Sequence, residues 1–385
     1  MISVFDIFKI GIGPSSSHTV GPMKAGKIFT DELISSVHIN QTTRVVVDVY
    51  GSLSLTGKGH HTDLAIIMGL AGNMPDDVDI DAIPAFIRQV ENTGRLMLGK
   101  GLKEVDFPVG SGMNFHFNNL PLHENGMTLS AFNGDELLYT QTYYSIGGGF
   151  IVEASKFGMQ DENPVVRPYP FRSASDLQKH CTDTGLSLSA LMLQNELAGH
   201  SRLEISDHFA AIWNVMSEGI TRGIHTEGLL PGPMKINRRA AALRRILVTQ
   251  DKNNVDPMGV VDWINMYAMA VNEENAAGGR VVTAPTNGAC GIIPAVLTYY
   301  DQFIRPISPD SYSRFFLASG AVGILFKLNA SISGAEVGCQ GEAGVACPMA
   351  AAGPTELRGG STPQRFMAAE IATDHHPVLT CVPLA

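Results

Sequence analysis

The chain has 385 residues, 44% hydrophobic and 17% charged, enough apolar material for two domain cores. A formal net charge of −10 without a compensating basic run argues against nucleic acid or an anionic membrane surface as partner. Five cysteines, no signal peptide at Met1–Asp6 and no apolar run of ~18 residues point to a soluble, reduced, cytoplasmic protein rather than a disulfide scaffold or a membrane span.

In chain order, Gly11 to Thr19 reads as a Gly/Pro/Ser loop that leads into a helix starting near Pro22. Arg44 to Tyr50 is β-branched and reads as a buried strand. Thr62 is placed to cap a helix over Asp63–Leu70, and a further helix is expected over Ala82–Leu98. Met127–Phe132 and Glu136–Tyr144 flank Asn133-Gly134-Asp135, a strong hairpin signal. A linker is expected between Met159 and Pro170, where three prolines cluster. Beyond it almost every segment has helical period: 174–194, 202–222, 238–247, 257–276, 292–303, 312–328 and 343–352. Strand signals are almost absent there, and Glu227–Pro233, Gly278–Gly288 and Ser331–Glu342 read as breaks between helices. The expected fold class is an α+β N-terminal domain over 1–158, followed by a mainly α-helical domain over 171–385.

Several stretches carry residues suited to chemistry. Gly13-Pro14-Ser15-Ser16-Ser17-His18-Thr19 sets hydroxyls and an imidazole on a loop entering a helix; it reads either as an anion-binding turn or as a serine-rich cap. His60 and His61 point different ways, a poor metal pair, but either suits a base near neutral pH, against a hydrogen-bonded surface loop. Gly147-Gly148-Gly149 is weak as a nucleotide motif, because no helix opens after it. Thr286 and Asn287 precede an apolar helix and suit caps that face a ligand, whereas Glu273 and Glu274 read as a solvated helix end. Cys181 and Cys347 read as packing residues, and Cys290 stays ambiguous. Cys339 stands among small residues, and Cys381 lies some forty positions on; thiolates gathered from distant segments are how iron–sulfur clusters are held. No lysine is set for a Schiff base: Lys58 sits in a Gly-Lys-Gly turn and Lys327 in an apolar helix, so pyridoxal phosphate is not expected.

Together these stretches resemble the iron–sulfur-dependent L-serine dehydratases (L-serine ammonia-lyases), in the single-chain form with fused β-type and α-type domains. The carrying residues are Gly13–Thr19, Tyr50–Leu53, Gly57–Asp63, His123–Gly126, Asn272–Arg280, Thr286–Ala289 and Gly338–Glu342. The resemblance implies an N-terminal domain similar to an allosteric substrate-binding domain, and a helical catalytic domain holding a [4Fe-4S] cluster with one iron open to substrate. It implies conversion of L-serine to pyruvate and ammonia in serine catabolism and gluconeogenesis. His61 would be the base and His18 the acid, with Ser16, Ser17, Thr19, His60, Thr286, Asn287 and Gly288 holding substrate. His123 and Asn125 would hold serine a second time as regulator, and Cys339 and Cys381 match cluster positions. A homodimer is the expected assembly. The sequence departs from the family near its end, where Asp374-His375-His376-Pro377-Val378-Leu379-Thr380-Cys381-Val382-Pro383 replaces a pattern close to Glu-His-Asn-Leu-Gly-Leu-Thr-Cys-Asp-Pro. It stops at Ala385, before two further family cysteines, so the helical domain is expected to be C-terminally truncated. A second reading therefore stands beside the first: a chain that binds serine or a partner subunit without turnover.

Overall fold

A computed structural model describes residues 2–159, 165–232, 234–249, 258–332 and 334–375. Two compact units emerge, Gly11–Gln160 and a second one made of Met1–Ile10 with Asp161–Ala385. The fold is α+β followed by mainly α-helical.

The α+β unit is built on a sheet in the order Arg95–Leu98, Lys103–Asp106, Arg44–Tyr50, Gly126–Asn133, Glu136–Ser145, Ile151–Glu153, with Met113–His116 pairing parallel to Arg44–Tyr50. Along Arg44–Tyr50, Val45, Val47 and Val49 are buried while Arg44, Val46, Asp48 and Tyr50 are not. This period of two puts one face on a core with Met23, Phe29, Leu33, Ile66 and Leu70. The expectation of a strand buried on both faces is thereby corrected. The opposite face carries hydroxyl pairs, Thr128 with Thr142 and Ser130 with Thr140, each 2.9 Å apart. The hairpin turns at Gly134, φ +58°, as its Asn-Gly signal required.

Helices Gly21–Ser35 and Thr62–Leu70 cross at glycines: a Cβ on Gly69 would lie 2.1 Å from the Met23 carbonyl oxygen, and one on Gly26 2.7 Å from that of Ile66. The helix expected over 82–98 ends at Thr93, because Gly94 takes φ +64° and turns the chain into the strand Arg95–Leu98. Thr62 is the first helical residue rather than the cap, and His61 occupies the cap position.

In the helical unit the expected helix 174–194 is two, Ala174–Thr184 and Leu188–Glu196, split at Gly185 (φ +70°), with Ser187 capping the second. The break expected over Ser331–Glu342 is mostly helix, since Gly334–Leu357 starts early and is kinked at Gly338. Helix Pro309–Asn329 runs through the core, which gathers Phe8, Phe209, Phe315, Phe316 and Met349. The N-terminal helix Val4–Ile7 lies on it: a Cβ on Gly320 would meet Val4 Cγ1 at 2.6 Å, and one on Gly323 would meet Ile7 Cγ2 at 2.8 Å. The segment is held by Glu196, which is fully buried and accepts from Ser3 Oγ (2.5 Å), the Val4 N–H (3.0 Å) and Arg167 Nη1 (2.9 Å). Among the described residues no helix is long and apolar enough to cross a membrane.

Candidate functional site

In the α+β unit the serine-rich loop and the histidine loop meet. Ser16–Val20 forms a π-helical turn capped by Ser15, whose Oγ accepts from the His18 N–H at 3.2 Å. The two loops are stitched twice: Thr19 Oγ1 donates to the His60 carbonyl at 2.7 Å, and Thr62 Oγ1 donates to the His18 carbonyl at 2.6 Å. Ser145 Oγ ties in from the sheet, donating to the Ser17 carbonyl at 2.7 Å. Four side chains thus set the histidines before any ligand arrives.

His18 is 5% exposed, with Nδ1 2.8 Å from Ser17 Oγ and Nε2 3.1 Å from Ser52 Oγ. Burial lowers its pKa to about 4, the His60 ring 4.9 Å away adds to that, and a main-chain contact with Ser52 opposes it. It is neutral at pH 7. His61 is half-buried with φ +56°, a left-handed conformation that few non-glycine residues adopt. Burial lowers its pKa, Asp63 raises it and His60 lowers it, so a neutral ring stands at the start of helix Thr62–Leu70. His60 Nδ1 lies 3.0 Å from the Thr56 carbonyl oxygen. The structure therefore brings His18, His60, His61, Ser17 and Thr19 together, with Ser16 buried in the same turn. Thr19 Oγ1 makes the loop stitch as well. The contacts of Ser52, Thr62 and Ser145 were not readable from sequence, because each acts through a partner at least 34 positions away.

In the same unit His123 Nδ1 accepts from the Asn125 N–H at 3.0 Å. Asn125 is fully buried; its Nδ2 donates to the Ser145 carbonyl at 3.2 Å, and its Oδ1 has no hydrogen-bond partner among the described residues.

The helical unit holds a second polar cluster where strand Arg280–Thr283 turns toward helix Ile292–Tyr299. Asn287 is buried and spanned: its Oδ1 accepts from Thr283 Oγ1 at 2.7 Å and its Nδ2 donates to Asn275 Oδ1 at 3.0 Å. Thr286 is also buried, and its Oγ1 faces Glu342 without a well-aligned hydrogen bond among the described residues. Gly288 lies under the Glu342 carboxyl, where a Cβ would sit 2.0 Å from Oε2. Glu342 is 8% exposed; burial raises its pKa, while Thr286 and the Gly288 N–H pull it back. Asn287 thus braces the turn, and Glu342 is a buried acid beside it. Glu273 and Glu274 are not a solvated helix end. Glu274 pairs with Arg238 Nη1 (2.6 Å) and Arg222 Nε (2.8 Å), and Glu273 accepts from the Arg239 N–H at 2.6 Å.

Of the thiols, Cys290 is fully buried and held well above its ordinary pKa, chiefly by burial. Burial pushes Cys347 up to about 12 and also raises Cys181. Neutral packed thiols are poor metal ligands, and among the described residues no three His, Cys, Asp or Glu gather into a metal-binding group. Cys339 follows Gly338, whose φ of +69° and ψ of 176° interrupt the helix Gly334–Leu357. Cys381 lies outside the described residues.

A family model of the serine dehydratase beta chain matches residues 3–156, and one of the serine dehydratase alpha chain matches residues 183–385. L-serine dehydratase 2 of Escherichia coli (strain K12) is 69% identical over 385 residues, covering 100% of this chain and 85% of that protein. The L-serine dehydratase of Haemophilus influenzae is 58% identical over the same shares. That of Streptomyces coelicolor is 49% identical over 389 residues, covering 100% of this chain and 84% of that protein. Two family models along one chain and relatives matched over its whole length place it: the chain belongs to the L-serine dehydratase family.

Proposed function

We propose that the chain is an L-serine ammonia-lyase: it removes water from L-serine, and the aminoacrylate product tautomerises to an imine that hydrolyses to pyruvate and ammonia. The observation that carries this reading is the neutral, half-buried His61 held at a left-handed helix start beside His18 and His60. Abstraction of an α-proton needs a base that is unprotonated at working pH, and burial supplies that state. His61 takes the proton. His18, with both ring nitrogens engaged by serine hydroxyls, serves the acid side of the exchange. A [4Fe-4S] cluster held in part by Cys339 and Cys381 would supply a Lewis acid that makes the serine hydroxyl a leaving group. From the family resemblance, Ser16, Ser17, Thr19, His60, Thr286, Asn287 and Gly288 are proposed to hold serine. Thr286 suits its role because its hydroxyl is buried beside the Glu342 carboxyl.

His123 and Asn125 are proposed to bind a regulatory serine, the buried Asn125 Oδ1 being an acceptor for an ammonium group. From the family resemblance alone come a cytoplasmic homodimer and a place in serine catabolism and gluconeogenesis.

The test is anaerobic reconstitution with iron and sulfide, followed by an assay of pyruvate from L-serine. About four irons per chain, turnover, and loss of both iron and turnover in Cys339→Ser support the reading. No stable cluster and no pyruvate, with serine binding retained, would leave a chain that binds serine without turning it over.

A further inference from the structure

Among the described residues of the helical unit, the buried glutamates are Glu196, Glu273, Glu274, Glu342 and Glu356. Three of them face arginine: Glu196 pairs with Arg167 at 2.9 Å, Glu274 with Arg238 at 2.6 Å and Glu356 with Arg365 at 2.5 Å. Glu273 is satisfied instead by the main-chain N–H groups of Arg239 and Ala240, where helix Ala240–Thr249 begins. Glu342 differs from all of these. It is 8% exposed, its neighbours are the neutral groups of Thr286 and Gly288, and among the described residues no Lys, Arg or His pairs with it. A carboxylate withdrawn from water without a cation is costly, so the charged form calls for a cation from outside the fold. Gly288 is where one can arrive. It is exposed, whereas Thr286 and Asn287 before it and Ala289 and Cys290 after it are buried. Having no side chain, it leaves the carboxyl uncovered at that point: a Cβ would stand 2.0 Å from Oε2 and 3.0 Å from Oε1.

We propose that Glu342 is a specificity-determining residue, whose carboxylate takes the α-ammonium group of L-serine as its counter-ion at the Gly288 opening. The proposal rests on the serine reading above and deepens it, since it gives the ammonium group a partner of its own. A buried carboxylate recognises an ammonium by charge and by its N–H donors together. It rejects a ligand that has hydrogen in place of the ammonium, because the acid is then left buried and unpaired. A site of this kind selects an amino acid over the hydroxy acid of the same length.

The experiment is calorimetric binding of L-serine and of 3-hydroxypropionate, which is serine without its ammonium group, to the full reconstituted chain, alongside the pyruvate assay. His123→Ala is the background throughout, so that the second serine site proposed above does not contribute. This parent chain should bind L-serine more tightly than 3-hydroxypropionate. Glu342→Gln, nearly unchanged in shape, should weaken L-serine by about 30-fold or more and 3-hydroxypropionate by less than about threefold, as when one partner of a buried charge pair is truncated. A merely structural acid would weaken both ligands alike, and that result overturns the proposal, as does unchanged serine binding. Glu342→Asp keeps the charge on a shorter stem and should retain part of the preference. If Glu342→Gln does not fold, a loss confined to serine in Glu342→Asp decides by the same criterion. Serine binding and turnover that ignore Glu342 sink this proposal alone, and a parent chain that binds no serine sinks the dehydratase reading with it. A preference that depends on Glu342 in a chain that releases no pyruvate would sink the dehydratase reading and leave Glu342 as the ammonium acceptor.

Discussion

Gly288→Ala isolates one contact of the helical unit. Gly288 has an ordinary negative φ, so the substitution brings no backbone strain, and its effect is the added methyl alone. That methyl would stand 2.0 Å from Glu342 Oε2, 2.7 Å from Cδ and 3.0 Å from Oε1, all well inside van der Waals contact. The obstacle is the end of a side chain rather than backbone, so the carboxyl can turn away, but it is 8% exposed and leaves the Gly288 N–H behind. Overpacking costs of about 1–3 kcal/mol apply, and the yielding neighbour puts this site near 1–2 kcal/mol. The assay is the urea midpoint of the helical unit's transition for wild type, Gly288→Ala, Glu342→Ala and the double variant. Once Glu342 is truncated the methyl meets nothing charged, so Gly288→Ala should then cost less than about 0.5 kcal/mol, a coupling of about 1–2 kcal/mol. Additive single effects would refute the contact, and with it the placement of Glu342 on the Thr286–Gly288 turn.

Glu196→Ala should destabilise the helical unit by about 3–5 kcal/mol, because Arg167, Ser3 and the Val4 N–H all lose their buried acceptor; a loss under about 1 kcal/mol by urea denaturation would show that the N-terminal segment is not anchored there. His18 and His208 both have folded pKa values of about 4, lowered mainly by burial, against ~6.5 unfolded. Their contribution is complete above ~6.5 and is lost as pH falls toward 4, at roughly 1.4 kcal/mol per pH unit for each; urea midpoints that stay flat between pH 7 and 5 would contradict the buried neutral rings. His61→Ala should lower kcat by about 10²–10⁴-fold in the pyruvate assay, the usual contribution of a positioned base, and near-wild-type turnover would remove His61 from that role.

What the sequence disclosed, and what it concealed, follows from how far each signal reaches. Asn133-Gly134 dictates a hairpin because the turn is decided within two residues, and the helical character after residue 170 shows because its period is local. Gly94 and Gly185 cut expected helices, since an apolar period says nothing about a single left-handed residue. The site divides in the same way. Ser17, His18, His60 and His61 could be singled out by residue type, but the bracing bonds of Thr19 and Asn287 could not, because they exist only between folded segments. Glu273 and Glu274 looked like a wet helix end because their partners, Arg239, Arg238 and Arg222, lie 34 to 52 positions away. Reactive residue types are therefore legible from sequence, whereas the hydroxyls, amides and carboxyls that fix their tautomer and charge emerge only when the chain is folded. Those fixing groups decide whether an imidazole at neutral pH is a base, an acid or a bystander.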